Sequence, residues 1–160
     1  YYGLQELMGP DSSNVYIAAS TYAIAMLRNG KQDQAIALLK RKLADLGKRS
    51  DNAAKIIRLA LTVNLAHAYI EAQRFELATP LAKKLEMEGG LITKVAADAA
   101  GEIAYIRGAV MTKPEQRQES IALLKEGIRE LSKNNTADYW IIRNAQELLD
   151  KRTQQDVPKK

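Results

Sequence analysis

The chain has 160 residues, 46% hydrophobic and 27% charged, with a net charge of +5 and a pI near 9.4. That is enough chain for one buried core and too apolar for disorder, while the absence of cysteine excludes disulfides, thiolate metal sites and cysteine nucleophiles. Nine glycines and four prolines are too few turn residues for an all-β fold, and a chain rich in Ala, Leu, Lys, Glu and Arg reads as all-α.

Stop signals divide the chain into helix-length pieces. After a short segment, YYGLQELMG, the run Pro10-Asp11-Ser12-Ser13 offers N-cap chemistry for a helix reaching Asn29-Gly30. A second piece, KQDQAIALLKRKLADL, stops at Gly47, and a third opens at Ser50-Asp51 and continues to about Ala72. The fourth runs from about Arg74 to Gly89-Gly90, with Pro80 expected to bend it or to mark a delayed start. A fifth covers Leu91 to about Val110. Thr112 and Glu115 have capping-box spacing with Pro114 in the first turn, so a sixth helix is expected there. Asn135-Thr136 start a seventh, ADYWIIRNAQELLDKR, and the polar tail 153–160 follows.

Six pieces pair into three helical hairpins that resemble one another. QAIALLKRKLADL (34–46) lines up without gaps on ESIALLKEGIREL (119–131), and LATPLAKKLEMEG (77–89) fits the same frame less well. Small residues open each second helix at Ala35, Ala78 and Ser120, separated by 43 and 42 residues. Such residues let two helices approach closely. The first helices are matched through AML (25–27), AYI (68–70) and AYI (104–106), which makes the third turn six residues longer than the second. Repetition at this period is the mark of supersecondary units stacked side by side.

The stretch NLAHAYIEAQRFELA (64–78) resembles the core of a tetratricopeptide repeat, roughly N-L-G-x-A-Y-x-x-x-G-x-Y-x-x-A, through Asn64, Leu65, Ala66, Ala68, Tyr69, Phe75 and Ala78. TYAIAMLRNGKQDQA (21–35) matches through Tyr22, Ala23, Gly30 and Ala35, and the third copy through Ala104, Tyr105 and Ser120. The resemblance implies a right-handed α-solenoid of about three hairpins (14–47, 51–88 and 91–132), closed by a C-terminal capping helix (136–152) built on Tyr139, Trp140, Ile142, Ala145 and Leu149. Two departures are plain: the period is near 42 rather than about 34, and no proline follows the second helices. HEAT-like repeats have the longer period, which leaves a generic α-solenoid as the fallback.

In that family the first helices line a concave groove that holds a peptide or a partner's helix. The matching positions are Ile17, Ser20, Ile24, Leu27 and Arg28 in the first repeat, and Ala60, Val63, Asn64, His67, Ile70 and Glu71 in the second. In the third they are Ala96, Ala99, Ile103, Ile106 and Arg107. This set is mostly aliphatic and lacks the cations of a carboxylate clamp, so it does not suit charged peptide tails. An exposed aliphatic groove calls for cover, by the chain's own ends (YYGLQEL or YWIIRNAQELL), by a second copy, or by a partner's amphipathic helix.

Chemistry finds little support. His67 is the sole histidine and stands among apolar neighbours, no nucleophile elbow or phosphate-binding glycine loop occurs, and Glu86 and Glu88 point to different helix faces. The expectation is a scaffold without catalysis, cofactor or metal, binding another protein or itself. The alternative is an acidic or nucleic-acid partner on the basic surface Lys40–Arg58, where Lys40, Arg41, Lys42, Lys48, Arg49, Lys55 and Arg58 face only Asp45 and Asp51. No aromatics interleave there to stack bases, which disfavours nucleic acid. The most apolar stretch, Ile56 to Ile70, is broken by Arg58, Asn64 and His67 and is too polar to enter a bilayer. An opening at Tyr1 rather than methionine points to a fragment whose targeting segment is out of view; cytoplasm and bacterial periplasm both fit.

Overall fold

A computed structural model describes residues 12–47 and 49–154. Among them are seven α-helices and no strand: α1 (Ser13–Arg28), α2 (Gln32–Leu46), α3 (Asn52–Glu71), α4 (Phe75–Glu88), α5 (Ala99–Val110), α6 (Arg117–Leu131) and α7 (Trp140–Gln154). Short 3-10 turns at Gly89–Leu91 and Pro114–Gln116 precede α5 and α6. The all-α class read from the sequence therefore holds. No described helix is long and apolar enough to cross a membrane. The expected segment 1–9 and most of the tail lie outside the described residues. The chain divides into two compact units, Tyr1–Leu81 and Ala82–Lys160, with the division inside α4.

In the N-terminal unit α1 and α2 pair, and α3 packs on both. The turn after α1 has a physical cause. Gly30 takes a left-handed φ of 70°, which allows Gly30 N–H to reach Leu27 O and Lys31 N–H to reach Met26 O. This double bond closes the helix by satisfying its last carbonyls. The turn after α3 repeats it 43 residues on: Gln73, at φ 56°, donates to Ile70 O, and Arg74 N–H donates to Tyr69 O. A glutamine thus holds a conformation that favours glycine. Asp51 caps α3 by accepting from Ala54 N–H at 3.0 Å, as its position after Ser50 predicts. Arg58, from α3, donates to Leu46 O and Arg49 O, placing a cation on the carbonyl end of α2.

In the C-terminal unit α5 and α6 pair, and α7 packs chiefly on α6. The pairing is close because glycines face it. A Cβ at Gly101 would lie 2.7 Å from Leu131 Cγ and 3.0 Å from Gly127 O. One at Gly108 would lie 3.1 Å from Ser120 O, and the Ser120 hydroxyl donates to Gly108 O at 2.7 Å. Arg152 on α7 donates to Ala109 O and Met111 O at the end of α5, while Arg117 donates back to Arg152 O. Burial, and then the neighbouring Arg117 guanidinium, push the Arg152 pKa below the usual arginine value.

Several boundaries differ from expectation. Helix α5 starts at Ala99, not Leu91, because the β-branched run Ile92-Thr93 and Val95 lies in turns after the Gly89–Leu91 3-10 turn. Lys113, not Thr112, takes the N-cap of the Pro114–Gln116 turn, and α6 starts only at Arg117. Helix α7 starts at Trp140 rather than near Asn135, with Tyr139 N–H bonded to Thr136 O in a turn before it. Pro80 lies inside α4 and does not delay its start.

The frame of the third hairpin also changes. Gly108 and Ser120, which meet, are 12 residues apart, the spacing of Ala23 to Ala35 and of Ala66 to Ala78, and all four alanines are fully buried. In this frame α2, α4 and α6 begin at residues 32, 75 and 117, again 43 and 42 apart. The third turn has no inserted residues. Helix α5 simply ends three residues early, and the AYI identity at 104–106 is out of register.

Candidate docking cleft

A cleft of about 190 Å³ opens between α1 and α3 in the N-terminal unit. Tyr16, Ile17, Ser20 and Thr21 form one wall, and Ile57, Ala60 and Leu61 the other. Three of the expected groove residues, Ile17, Ser20 and Ala60, therefore come together here. A fourth, Asn64, ties the walls by donating from Nδ2 to the Ser20 hydroxyl. Thr21 donates its hydroxyl to Ile17 O, one turn back in its own helix. The Ser20 and Thr21 hydroxyls are thus engaged, and most of the remaining lining is apolar. Ile17 stands at the mouth, 58% exposed. Tyr16 forms the floor, 1% exposed, with Lys42 Nζ 5.7 Å from its ring centroid.

The other expected groove residues are placed differently. Leu27, Val63, His67, Ile70, Ala99, Ile103 and Ile106 are buried; Ile24, Glu71, Ala96 and Arg107 are half-buried, and Arg28 is exposed. From Leu61 to Ile70 every residue of α3 is buried, so that half of the helix presents no open face. His67, at 1% exposure, is closed to solvent. In the C-terminal unit Arg107 turns to Glu86 on α4, at 2.5 Å, and Ile103 Cδ1 would lie 2.6 Å from a Cβ at Gly89. These two side chains pack on the segment preceding α5. Glu102 occupies the third-repeat position equivalent to Ala60 and accepts from the Tyr139 hydroxyl at 3.4 Å.

The basic surface is smaller than the sequence suggests. Lys42 is not a surface cation: it is 3% exposed and pairs with Asp45 at 2.9 Å. Its aliphatic stem fills the hairpin while its ammonium finds a carboxylate. Arg58 is committed to the end of α2, and Arg49 pairs with Asp51. The Asp51 pKa is lowered, first by the Ala54 N–H bond and then by Arg49. Lys40, Arg41 and Lys55 are exposed, and Lys48 lies outside the described residues. Among the described residues no group of three or more His, Asp or Glu side chains could hold a metal ion.

Helical glycines are the signal that repeat matching does not use. Gly101, Gly108 and Gly127 each cost about 1 kcal/mol in helix propensity relative to alanine, so their presence points to close backbone approach. Comparison with family models, with curated proteins and with solved structures finds no match to this chain.

Proposed function

We propose that this chain is a tetratricopeptide-like α-solenoid that acts as a protein–protein interaction or assembly module, without catalysis, and docks its partner in the α1/α3 cleft. The observation that carries this reading is the cleft itself: an open, mainly apolar slot between the first helices of consecutive hairpins, with the Ser20 and Thr21 hydroxyls engaged and Ile17 exposed at its mouth. Two further features support it. Small residues recur 12 apart in all three hairpins, and the left-handed turn recurs at Gly30 and Gln73. A cleft of this size holds one aromatic or two aliphatic side chains, each contributing about 1.5–3 kcal/mol on burial. The basic Lys40–Arg58 surface is the weaker reading, since Lys42, Arg49 and Arg58 are engaged within the fold.

A photo-crosslinking amino acid at Ile17, with one at exposed Lys125 as control, tests the reading in cell extract. Discrete protein adducts from position 17 alone, lost when Ala60→Trp fills the cleft, are expected. Equal adducts from both positions, or none from position 17, count against it.

A further inference from the structure

We infer that the partner of the α1/α3 cleft is an acidic amphipathic helix, which inserts one or two large apolar side chains between the walls and carries carboxylates on its flanks. This rests on the docking reading above and adds the partner's chemistry to it.

The apolar part follows from the cleft. Ser20 accepts from Asn64 and Thr21 donates to Ile17 O, so the walls recognise an occupant by shape and apolar area. At about 190 Å³ the space suits side chains rather than a whole small-molecule ligand, for which pockets of about 300–1,000 Å³ are usual. It does not suit nucleic acid, because the sole aromatic in its walls, Tyr16, is 1% exposed and presents no ring face to a base.

The acidic part follows from which charges the N-terminal unit has already used. Asp33, Asp45 and Asp51 are bonded to Arg74, Lys42 and Arg49 respectively. Glu71 and Glu76 are its other described carboxylates, at the end of α3 and the start of α4. Against these, Arg28, Lys31, Lys40, Arg41 and Lys55 are exposed, and none is in an ion pair among the described residues. Arg28 is the one charged residue of α1. It lies 11 residues beyond Ile17, three turns along the same helix face at about 100° per residue. A helix lying along α1 with its apolar anchor at Ile17 therefore brings its next turns toward Arg28. Carboxylates there gain a favourable contact and a faster approach through the positive field, whereas lysines meet repulsion.

Two fluorescent helical peptides of about 16 residues test this on the full chain. They share a leucine stripe and differ only in carrying Glu or Lys on the polar face. The Glu peptide is expected to bind at least about tenfold tighter than the Lys peptide at low salt. Arg28→Glu is expected to shrink that ratio by about fivefold or more, and Ala60→Trp to abolish binding. Ile17→Asn, on an exposed position, weakens binding without touching the core and covers the case in which the tryptophan does not fold. Equal binding of the two peptides, still blocked at Ala60 or Ile17, overturns the acidic partner while leaving the docking cleft standing. Binding of the Glu peptide indifferent to Ala60→Trp and Ile17→Asn overturns the inference by placing the acidic segment elsewhere. Binding of neither peptide, or of a single-stranded DNA oligonucleotide alone, overturns it too, and the crosslinks from position 17 then decide the docking reading separately.

Discussion

The hairpins α1–α2 and α5–α6 use one frame and solve its spacing in opposite ways. At the crossing next to the turn both are small: Ala23 and Ala35 in one, Gly108 and Ser120 in the other. Farther from the turn, Leu39 and Leu46 correspond to Leu124 and Leu131, all four fully buried. The contrast falls at the far end. Tyr16 and Lys42 stand where Gly101 and Gly127 stand 85 residues later. A phenol ring and a lysine stem fill the first hairpin there, whereas the second closes until a Cβ would clash with backbone. Interhelical distance is thus set by side-chain size position by position: the two hairpins share the small crossing near the turn and the leucine pair, and differ at Tyr16/Lys42 against Gly101/Gly127.

The sharpest way to break the comparison is to put a side chain into the closed hairpin. Gly101→Ala is expected to lose about 1–3 kcal/mol, because overpacking against Leu131 outweighs the roughly 1 kcal/mol gained in helix propensity. Thermal unfolding measures the loss, and hydrogen exchange should place it in α5 and α6. Next comes the open hairpin. Lys42→Ala empties the space beside Tyr16 and is expected to cost about 2 kcal/mol, while Lys42→Met keeps the volume and costs less than about 1.5 kcal/mol. If both variants lose equally in chemical denaturation, the ion pair with Asp45, not packing, holds that end.

Smaller effects sharpen the likeness of the first two turns. Gln73→Gly is expected to stabilise by about 0.5–1 kcal/mol, by relieving the left-handed conformation that Gly30 already holds without strain. An unchanged melting temperature would mean that the two turns differ energetically despite their shared bonds. Smallest is the cap of α3. Because the folded Asp51 pKa is held below the usual aspartate value, its contribution is present above that value and fades as pH falls through the lowered one. Asp51→Asn keeps an acceptor for Ala54 N–H and is expected to flatten the stability profile below about pH 4, read from melting temperatures across that range.

Much of this architecture is legible in the sequence where local chemistry decides it. Gly30, Gly47 and Asp51 fix helix ends because each acts within its own turn. The 43- and 42-residue spacing of Ala35, Ala78 and Ser120 carries the repeat because small residues mark crossings. Local identity misleads where tertiary contact decides. The AYI match at 104–106 set the third hairpin's frame, yet the contact lies at Gly108. Lys42 reads as a surface cation from its neighbours in sequence, yet Tyr16 and Asp45 bury it. Of the expected groove, the part that opens as a cleft is the part bounded by Ile17, Ser20 and Ala60; burial on a helix closed all round, as at His67, is not written in one stripe of residues.

The glycine-lined crossing also changes where the entropy of ordering falls. Fixing a lysine side chain costs up to about 2 kcal/mol of rotamer entropy, whereas glycine and alanine cost none. Gly101, Gly108 and Gly127 therefore ask nothing of side chains when α5 meets α6. The open hairpin must order Tyr16 and Lys42 before its far end is held. Glycine in turn loses more backbone freedom than any other residue, so α5–α6 bears its ordering cost in the backbone and α1–α2 in its side chains.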